Sequence, residues 1–309
     1  MYFPYLRGKQ HELLALRACA AMVASNRKLI PIIEPVRKDT SALLRAIEVC
    51  LSQPLPIVIV VNPTVGQLAK EHKLLVNELT QQQVFSAGSA IAGFLISQGT
   101  SMGEVDSFLT QFNDLRVAFI HSHRFQEGQQ LVARMAGQNI AYQIFIDGVT
   151  GSPYQSLFRQ YERVLIRDGF RVMNNADYPA DEFFSELHQT YTASGFNGFG
   201  DFTIAGKDYS DRGGPAHAVA IHLTHPGPDA DLWIRHFVSD RTKTTKDRAG
   251  KFMEALEKLV RFLNENQSVG SCDACSEFQD LHSRRHFPGL GTVKQLSIRH
   301  HLEMMNRMV

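Results

Sequence analysis

The chain has 309 residues, 44% hydrophobic and 20% charged, with a formal net charge of +1. That is an ordinary globular composition with room for one large domain or two modest ones. The near-neutral charge excludes a generally basic surface that coats nucleic acid, while leaving room for a local basic groove.

No run approaches the roughly 18 to 20 apolar residues that span a bilayer, so no membrane partner is expected. The opening Met-Tyr-Phe-Pro-Tyr-Leu-Arg-Gly-Lys lacks a basic region followed by a long apolar stretch, which leaves the cytoplasm as the expected location. Four cysteines are too few for a secreted disulfide scaffold, and Cys19 and Cys50 fall in helix-like apolar patterns as reduced core thiols.

Residues 2–6 read as a strand, and residues 12–23 are Leu- and Ala-rich with helical periodicity. Residues 29–34 form a second strand, ending on Glu34 and closed by Pro35. Thr40 or Ser41 can cap a helix over 42–51. Further strands are expected at 56–62, 91–96, 116–121, 142–147 and 163–168, alternating with helices at 65–79, 101–112, 125–137 and 154–161. A helix over 180–194 and an eighth strand at 201–205 complete the series. Such alternation with short connections predicts a parallel sheet with right-handed crossovers. The near-continuous apolar strands suit a sheet covered on both faces. Eight units in about 260 residues fit a closed (β/α)8, TIM-like barrel. The alternative is an open doubly wound parallel sheet, weakened by the lack of a Gly-x-Gly-x-x-Gly after the first strand.

Beyond the eighth strand, residues 216–224 and 231–238 read as a β-hairpin around Pro226-Gly-Pro. The amphipathic stretch 246–264 is the expected closing helix, displaced by the hairpin. The barrel, with its hairpin insertion at 216–238, then covers 1–265. Residues 266–309 form a Cys- and His-containing tail packed on it, helical from Val293.

Side chains alternate along a strand, so a polar end residue shares a face with those two and four positions back. Glu34 lines up with Ile32 and Ile30, Asn62 with Val60 and Val58, and His121 with Phe119 and Val117. Asp147 lines up with Phe145, and Asp168 with Ile166 and Val164. In a barrel such groups are expected to converge at the carboxyl end, where active sites of this fold lie. Glu34, Asp147, Asp168, Asp201 and His121 are therefore the catalytic candidates. Arg7, Lys9, Asn62 and Arg167 are the ligand-binding ones. Acids so gathered can hold Mg2+ or act as general acid and base, and the cations can neutralise phosphate. The plainer reading is that strands end at the surface in polar residues, and that Asp147-Gly148 and Asn62-Pro63 are ordinary turn formers. Glu34 stands out because Glu before Pro is not a favoured turn choice. If buried it needs a cation or a donor, and Arg7 or Lys9 is the natural partner.

Three further features carry chemistry. Residues 241–248, Arg-Thr-Lys-Thr-Thr-Lys-Asp-Arg, make a basic, hydroxyl-rich turn that suits either a phosphate or a helix cap. His121 and His123 offer either a metal pair or a satisfied or solvated pair, and His217, His222, His225 and His236 on the hairpin need be no more than surface residues. Cys272-Asp-Ala-Cys275 has the spacing of a zinc half-site and needs further ligands. His282 with His286, or His300 with His301, are the candidates for Zn2+; the alternative is a reduced structural or redox-labile pair.

The stretch Tyr2-Phe-Pro-Tyr-Leu-Arg-Gly-Lys-Gln-x-Glu-Leu-x-Ala-Leu-Arg17 resembles the start of the sce7725 family, which is similar to the phage-type beta protein family. The Ile-Pro-Ile-Ile-Glu-Pro segment, Gly200-Asp-Phe, the CxxC and Ser297-Ile-Arg-His-His-Leu302 fit the same picture. The resemblance implies a bacterial, cytoplasmic protein encoded beside a small partner of the sce7726 type, in mobile or antiphage-defence neighbourhoods. It supplies no catalytic residues. Two functions are expected. One is a hydrolase-type barrel enzyme acting on a nucleotide, a nucleic acid or another phosphorylated ligand in phage defence. The other is a non-catalytic sensor or binding subunit that leaves the chemistry to its partner.

Overall fold

The computed structural model describes residues 1–211 and 217–309. Seven strands follow one another around a barrel: β1 (Tyr2–Leu6), β2 (Ile32–Ile33), β3 (Ile57–Val60), β4 (Ala90–Ile96), β5 (Val117–His121), β6 (Ile140–Ile146) and β7 (Arg163–Arg167). The next strand, β8 (Asp181–Ser185), leaves it, and β9 (Gly198–Asp201) closes it between β7 and β1. All eight pairings are parallel, with Phe3 opposite Gly200 at the closure. This is the (β/α)8 barrel that the alternation predicts, not the open sheet. The helices α1 (Gln10–Asn26), α2 (Ser41–Ser52), α3 (His72–Gln81), α4 (Met102–Gln111), α5 (Gly128–Arg134) and the short α6 (Ser152–Gln155) follow the first six strands. β2 has only two residues in the ladder because Pro31 and Pro35 flank it and proline cannot donate.

Both strand faces are buried, but against different cores. Phe3, Tyr5, Ile30, Ile32, Val58, Val60, Ile91, Ala118, Ile120, Ile144, Val164 and Ile166 fill the barrel interior. The alternate residues, among them Ile33, Ile59, Phe94, Phe119, Phe145 and Leu165, pack outward under the helices. That division decides where each strand-end side chain points.

The later part of the chain departs from expectation in three places. Residues 180–194, read as a helix, give β8 and the single turn α7 (Leu187–Thr190). β8 pairs antiparallel with β11 (Leu232–Val238), which pairs in turn with β10 (Ala220–Pro226). Pairing of Phe183 with Trp233 across the strands overrides the local helical preference. The expected hairpin is thus present as β10 and β11, while its first residue, Ala216, lies outside the described residues. The eighth barrel strand is Gly198–Asp201, and the stretch 203–205 is a 3-10 turn. Glycine is a poor strand former, but here it is required. A Cβ on Gly200 would sit 1.9 Å from the carbonyl oxygen of Phe3.

The closing helix also differs. α8 (Arg248–Glu265) covers the hairpin, where Phe252, Leu256 and Leu259 meet Val219, Ile221, Leu223 and Phe237. α9 (Gln267–Gly270) and α10 (Asp273–Ser283) extend that second core. The helix that packs on α1 and β1 is α11 (Leu290–Met308), taken above as part of a tail. Ile298, Leu302 and Met305 of α11 join the layer between barrel and helices, while Val293 and Leu296 join the hairpin core. α11 is therefore buried on several sides, and His300, His301 and Glu303 are buried with it. Asp247 caps α8 by accepting from the Gly250 N–H at 2.9 Å, and Arg241 pairs with Asp247 and Glu254. The basic turn at 241–248 is thus a helix cap.

Candidate functional site

Inward parity brings Arg7, Glu34, Asn62 and Asp168 to the carboxyl end of the barrel. Glu34 is fully buried. Its Oε2 accepts from the Tyr5 hydroxyl at 2.7 Å and from the Arg7 guanidinium. Its Oε1 accepts from the Thr64 backbone N–H at 3.0 Å and from the Thr64 hydroxyl at 3.4 Å. Burial, then the negative charge of Glu34, pushes the Tyr5 hydroxyl well above its ordinary pKa, so it remains a donor. The Arg7 guanidinium lies 5.2 Å over the Tyr5 ring and 5.6 Å over Phe202, and also donates to the Lys207 carbonyl. Lys207 in turn donates its backbone N–H to Asp168 Oδ2 at 3.0 Å, while Asp168 Oδ1 accepts from Phe170 N–H at 3.2 Å. Burial raises the Asp168 pKa and these two donors oppose the rise. Asn62 donates to the Leu95 carbonyl and accepts from its N–H, stitching the loop after β3 to β4. Lys9 donates to the Ser210 carbonyl at 2.7 Å and lies over the Tyr209 ring.

The barrel mouth is therefore a closed lattice. Tyr5 and Phe202 plug it, with ring centroids 4.9 Å apart, and both Glu34 oxygens already accept protein donors. Its acids do not gather into a group of three metal-ligand atoms among the described residues.

Three catalytic candidates lie elsewhere. His121 sits on the outward face of β5, stacked on Phe145 at 4.5 Å and bonded to the Tyr154 hydroxyl and Gln143 Oε1. Burial lowers its pKa to about 4, so it is a neutral core histidine. Asp201 also points outward, accepting from the Tyr2 hydroxyl at 2.8 Å and from Thr203 N–H, with His301 of α11 at 3.2 Å. Asp147 pairs with Arg167 at 2.6 Å on the outer side of β7. Stepping back by two groups residues on one face; it does not say which face is inside.

Of the metal candidates, Cys272, Cys275 and His300 come together, and His301 does not. Its ring binds Thr224 Oγ1, Tyr2 and Asp201. Two hairpin histidines are packed inside: His222 and His236 contact each other at 2.7 Å beside Tyr178.

Sequence reasoning named one residue, Lys9, of a further cavity but not the cavity itself. A cleft of about 770 Å3 opens at the rim of the carboxyl end, between the first turns of α1, α2 and α11. Its cations are Lys9, Arg17, Arg37, Arg45 and Lys294; its acids are Glu12 and Asp39. The acid Glu12 is buried, bonded at its Oε2 by the Lys9 N–H at 3.4 Å, and its pKa is raised by that burial. The Nε of Arg17 and the Nδ1 of His11 are buried without a hydrogen-bond partner. α11 comes close to α1 at Gly291, where a Cβ would lie 1.9 Å from His11 Nε2 unless that side chain moved aside. The only clue in sequence was the recurrence of Arg and Lys in the turns after the first two strands. Lys294, 257 positions after Arg37 in the numbering, joins them only through the fold.

Compared with known proteins, the chain matches no family model, no curated protein and no solved structure. Fold and cavity together define the class: a (β/α)8-barrel protein with a cationic cleft on the rim of its carboxyl end. No helix among the described residues is long and apolar enough to cross a membrane.

Proposed function

We propose that the protein binds a nucleotide, or a small ligand bearing a similar phosphate group, in the rim cleft, and that binding is its principal work. The observation that carries this is the cleft lining, five cations against two acids, with a buried Arg17 Nε left unpartnered. Guanidinium groups recognise phosphate oxygens through paired N–H donors, and about 770 Å3 is the size of a small-molecule pocket. A nucleic-acid backbone is the weaker fit, because the cleft is local and the whole chain carries a net charge of only +1.

The saturated acids of the mouth favour the non-catalytic form of this reading over a hydrolase. In the bacterial antiphage setting that the family resemblance implies, the chain is a cytoplasmic sensor, and a separately encoded partner of the sce7726 type supplies the chemistry. Calorimetric titration with nucleoside mono-, di- and triphosphates tests it. Binding is expected to weaken with added salt and to fall at least about tenfold, about 1.4 kcal/mol, in Arg17→Ala/Arg45→Ala. Absence of binding by every nucleotide, or binding indifferent to both substitutions, defeats it. Turnover of the nucleotide in the same vessel with Mg2+ restores the enzyme reading.

A further inference from the structure

A second site lies on the other side of α11, away from the rim cleft and independent of the reading above. Cys272 is the cap residue of α10 and Cys275 sits in its first turn. His300 comes from the middle of α11, and strand β10 supplies a backbone carbonyl behind it. Cys275 and His300 are fully buried, and Cys272 is partly open to solvent.

The His300 ring is fixed by that carbonyl. Nε2 lies 2.8 Å from the Thr224 oxygen, which can only accept, so Nε2 carries the hydrogen. In the neutral ring the lone pair is then on Nδ1. Nδ1 lies 3.3 Å from the Cys272 sulfur and 3.3 Å from the Cys275 sulfur. All three ligand atoms lie within 4.8 Å of one another. Tetrahedral zinc, with bonds of about 2.3 Å to sulfur and about 2.0 Å to nitrogen, sets its ligand atoms about 3.5 Å apart. An imidazole whose far nitrogen is held by a carbonyl is also the usual outer support of a metal-bound histidine.

The backbone around the cysteines fits the same arrangement. The Cys275 backbone N–H points at the Cys272 sulfur at 3.3 Å, the bond that two-residue spacing gives around a metal-bound thiolate. The loop is braced in turn. Glu303 accepts from the Ala274 N–H at 3.1 Å, and Arg299 pairs with both Glu303 and Asp273. A disulfide would need none of the imidazole arrangement, which places one lone pair between two sulfurs.

We propose that Cys272, Cys275 and His300 bind one zinc ion, with water in the fourth position on the open side of Cys272. Binding releases the thiol protons and leaves a neutral imidazole and two thiolates as ligands. The ion would tie α10 to α11 one residue from His301, which holds α11 to Asp201 and Tyr2 of the barrel wall. It would thus fix the closing helix whose first turn lines the rim cleft.

Metal analysis of the full chain, purified under reducing conditions, is expected to find about one equivalent of zinc. Stripping with a chelator and adding cobalt(II) alone should produce the near-ultraviolet charge-transfer band of thiolate-bound cobalt. Cys272→Ser and His300→Ala should each lose the metal at least tenfold, whereas His301→Gln should keep it. Chelation of the unaltered protein should lower its melting temperature, which keeps the test decisive if a variant fails to fold. The proposal is overturned by a chain that binds no zinc and gives no cobalt–thiolate band. Recovery of a Cys272–Cys275 disulfide under the reducing conditions would also overturn it, as would zinc retained in Cys272→Ser.

Discussion

Glu34 shows how a residue's chemistry is set by what surrounds it. Four donors from Tyr5, Arg7 and Thr64 converge on one carboxylate that solvent does not reach. Its role there is to hold: it fixes Arg7 against Tyr5 and Phe202 and ties the loop after β3 to the end of β2. Removing the charge from one side of a buried pair is costlier than the pair is worth, because the partner keeps its desolvation penalty. Glu34→Gln should therefore destabilise the protein by about 3 to 5 kcal/mol, read as a shift in the urea midpoint. Tyr5→Phe removes one hydrogen bond and should cost about 1 to 2 kcal/mol. A Glu34→Gln protein as stable as the parent would show that the carboxylate is kept for chemistry instead.

At the level of elements, the barrel closes where the sequence looks least like a strand. β9 is Gly-Phe-Gly-Asp, and its glycines let β1 come close enough to complete the ladder. A methyl group on Gly200 would fall inside the contact distance of Phe3 backbone atoms. Backbone cannot move aside as a flexible side chain can, so Gly200→Ala should abolish accumulation of folded protein, measured as soluble yield and loss of a cooperative melt. Gly88→Ala is the control, since nothing lies within 4 Å of a Cβ there. It is a demanding control, because Gly88 has a φ of 70° and the added strain should cost about 1 kcal/mol. The outward stripe of β5 is another case. His121 completes it within a cage of Phe145, Tyr154 and Phe158, so the strand end that resembled a catalytic position is a packing position.

The molecule as a whole should be acid-sensitive for the same reason. His121 is neutral in the folded state, with a pKa lowered to about 4 by burial from an ordinary value of 6.5. The unfolded chain therefore binds more protons between those values. Its contribution to stability is complete above about pH 6.5 and is lost as pH falls through about 4. By about pH 5 the loss from this one group should be roughly 2 kcal/mol. His222, lowered to about 3 by burial and then by His236, acts in the same direction. Urea midpoints at about pH 7 and about pH 5 check this; equal midpoints would rule it out.

Much of this architecture was legible in the chain. Apolar runs alternating with amphipathic stretches dictated a parallel barrel, because strands buried on both faces must be covered by helices between them. Parity correctly grouped Glu34 with Ile32, Asn62 with Val60 and Asp168 with Ile166, and Arg7 follows from the same rule. What parity left open was which face is inside, since in a barrel both faces are apolar. His121 and Asp201 consequently point outward. Cross-strand pairing alone turned residues 181–185 into β8. Only the tertiary structure made α11, rather than α8, the closing helix. Its choice depends on which apolar stripes meet, and both helices carry one. The rim cleft and the Cys272–Cys275–His300 cluster belong to the same class. In each, distant stretches meet: His300 lies 25 positions after Cys275, and Lys294 lies 257 after Arg37, so long-range packing brings them together.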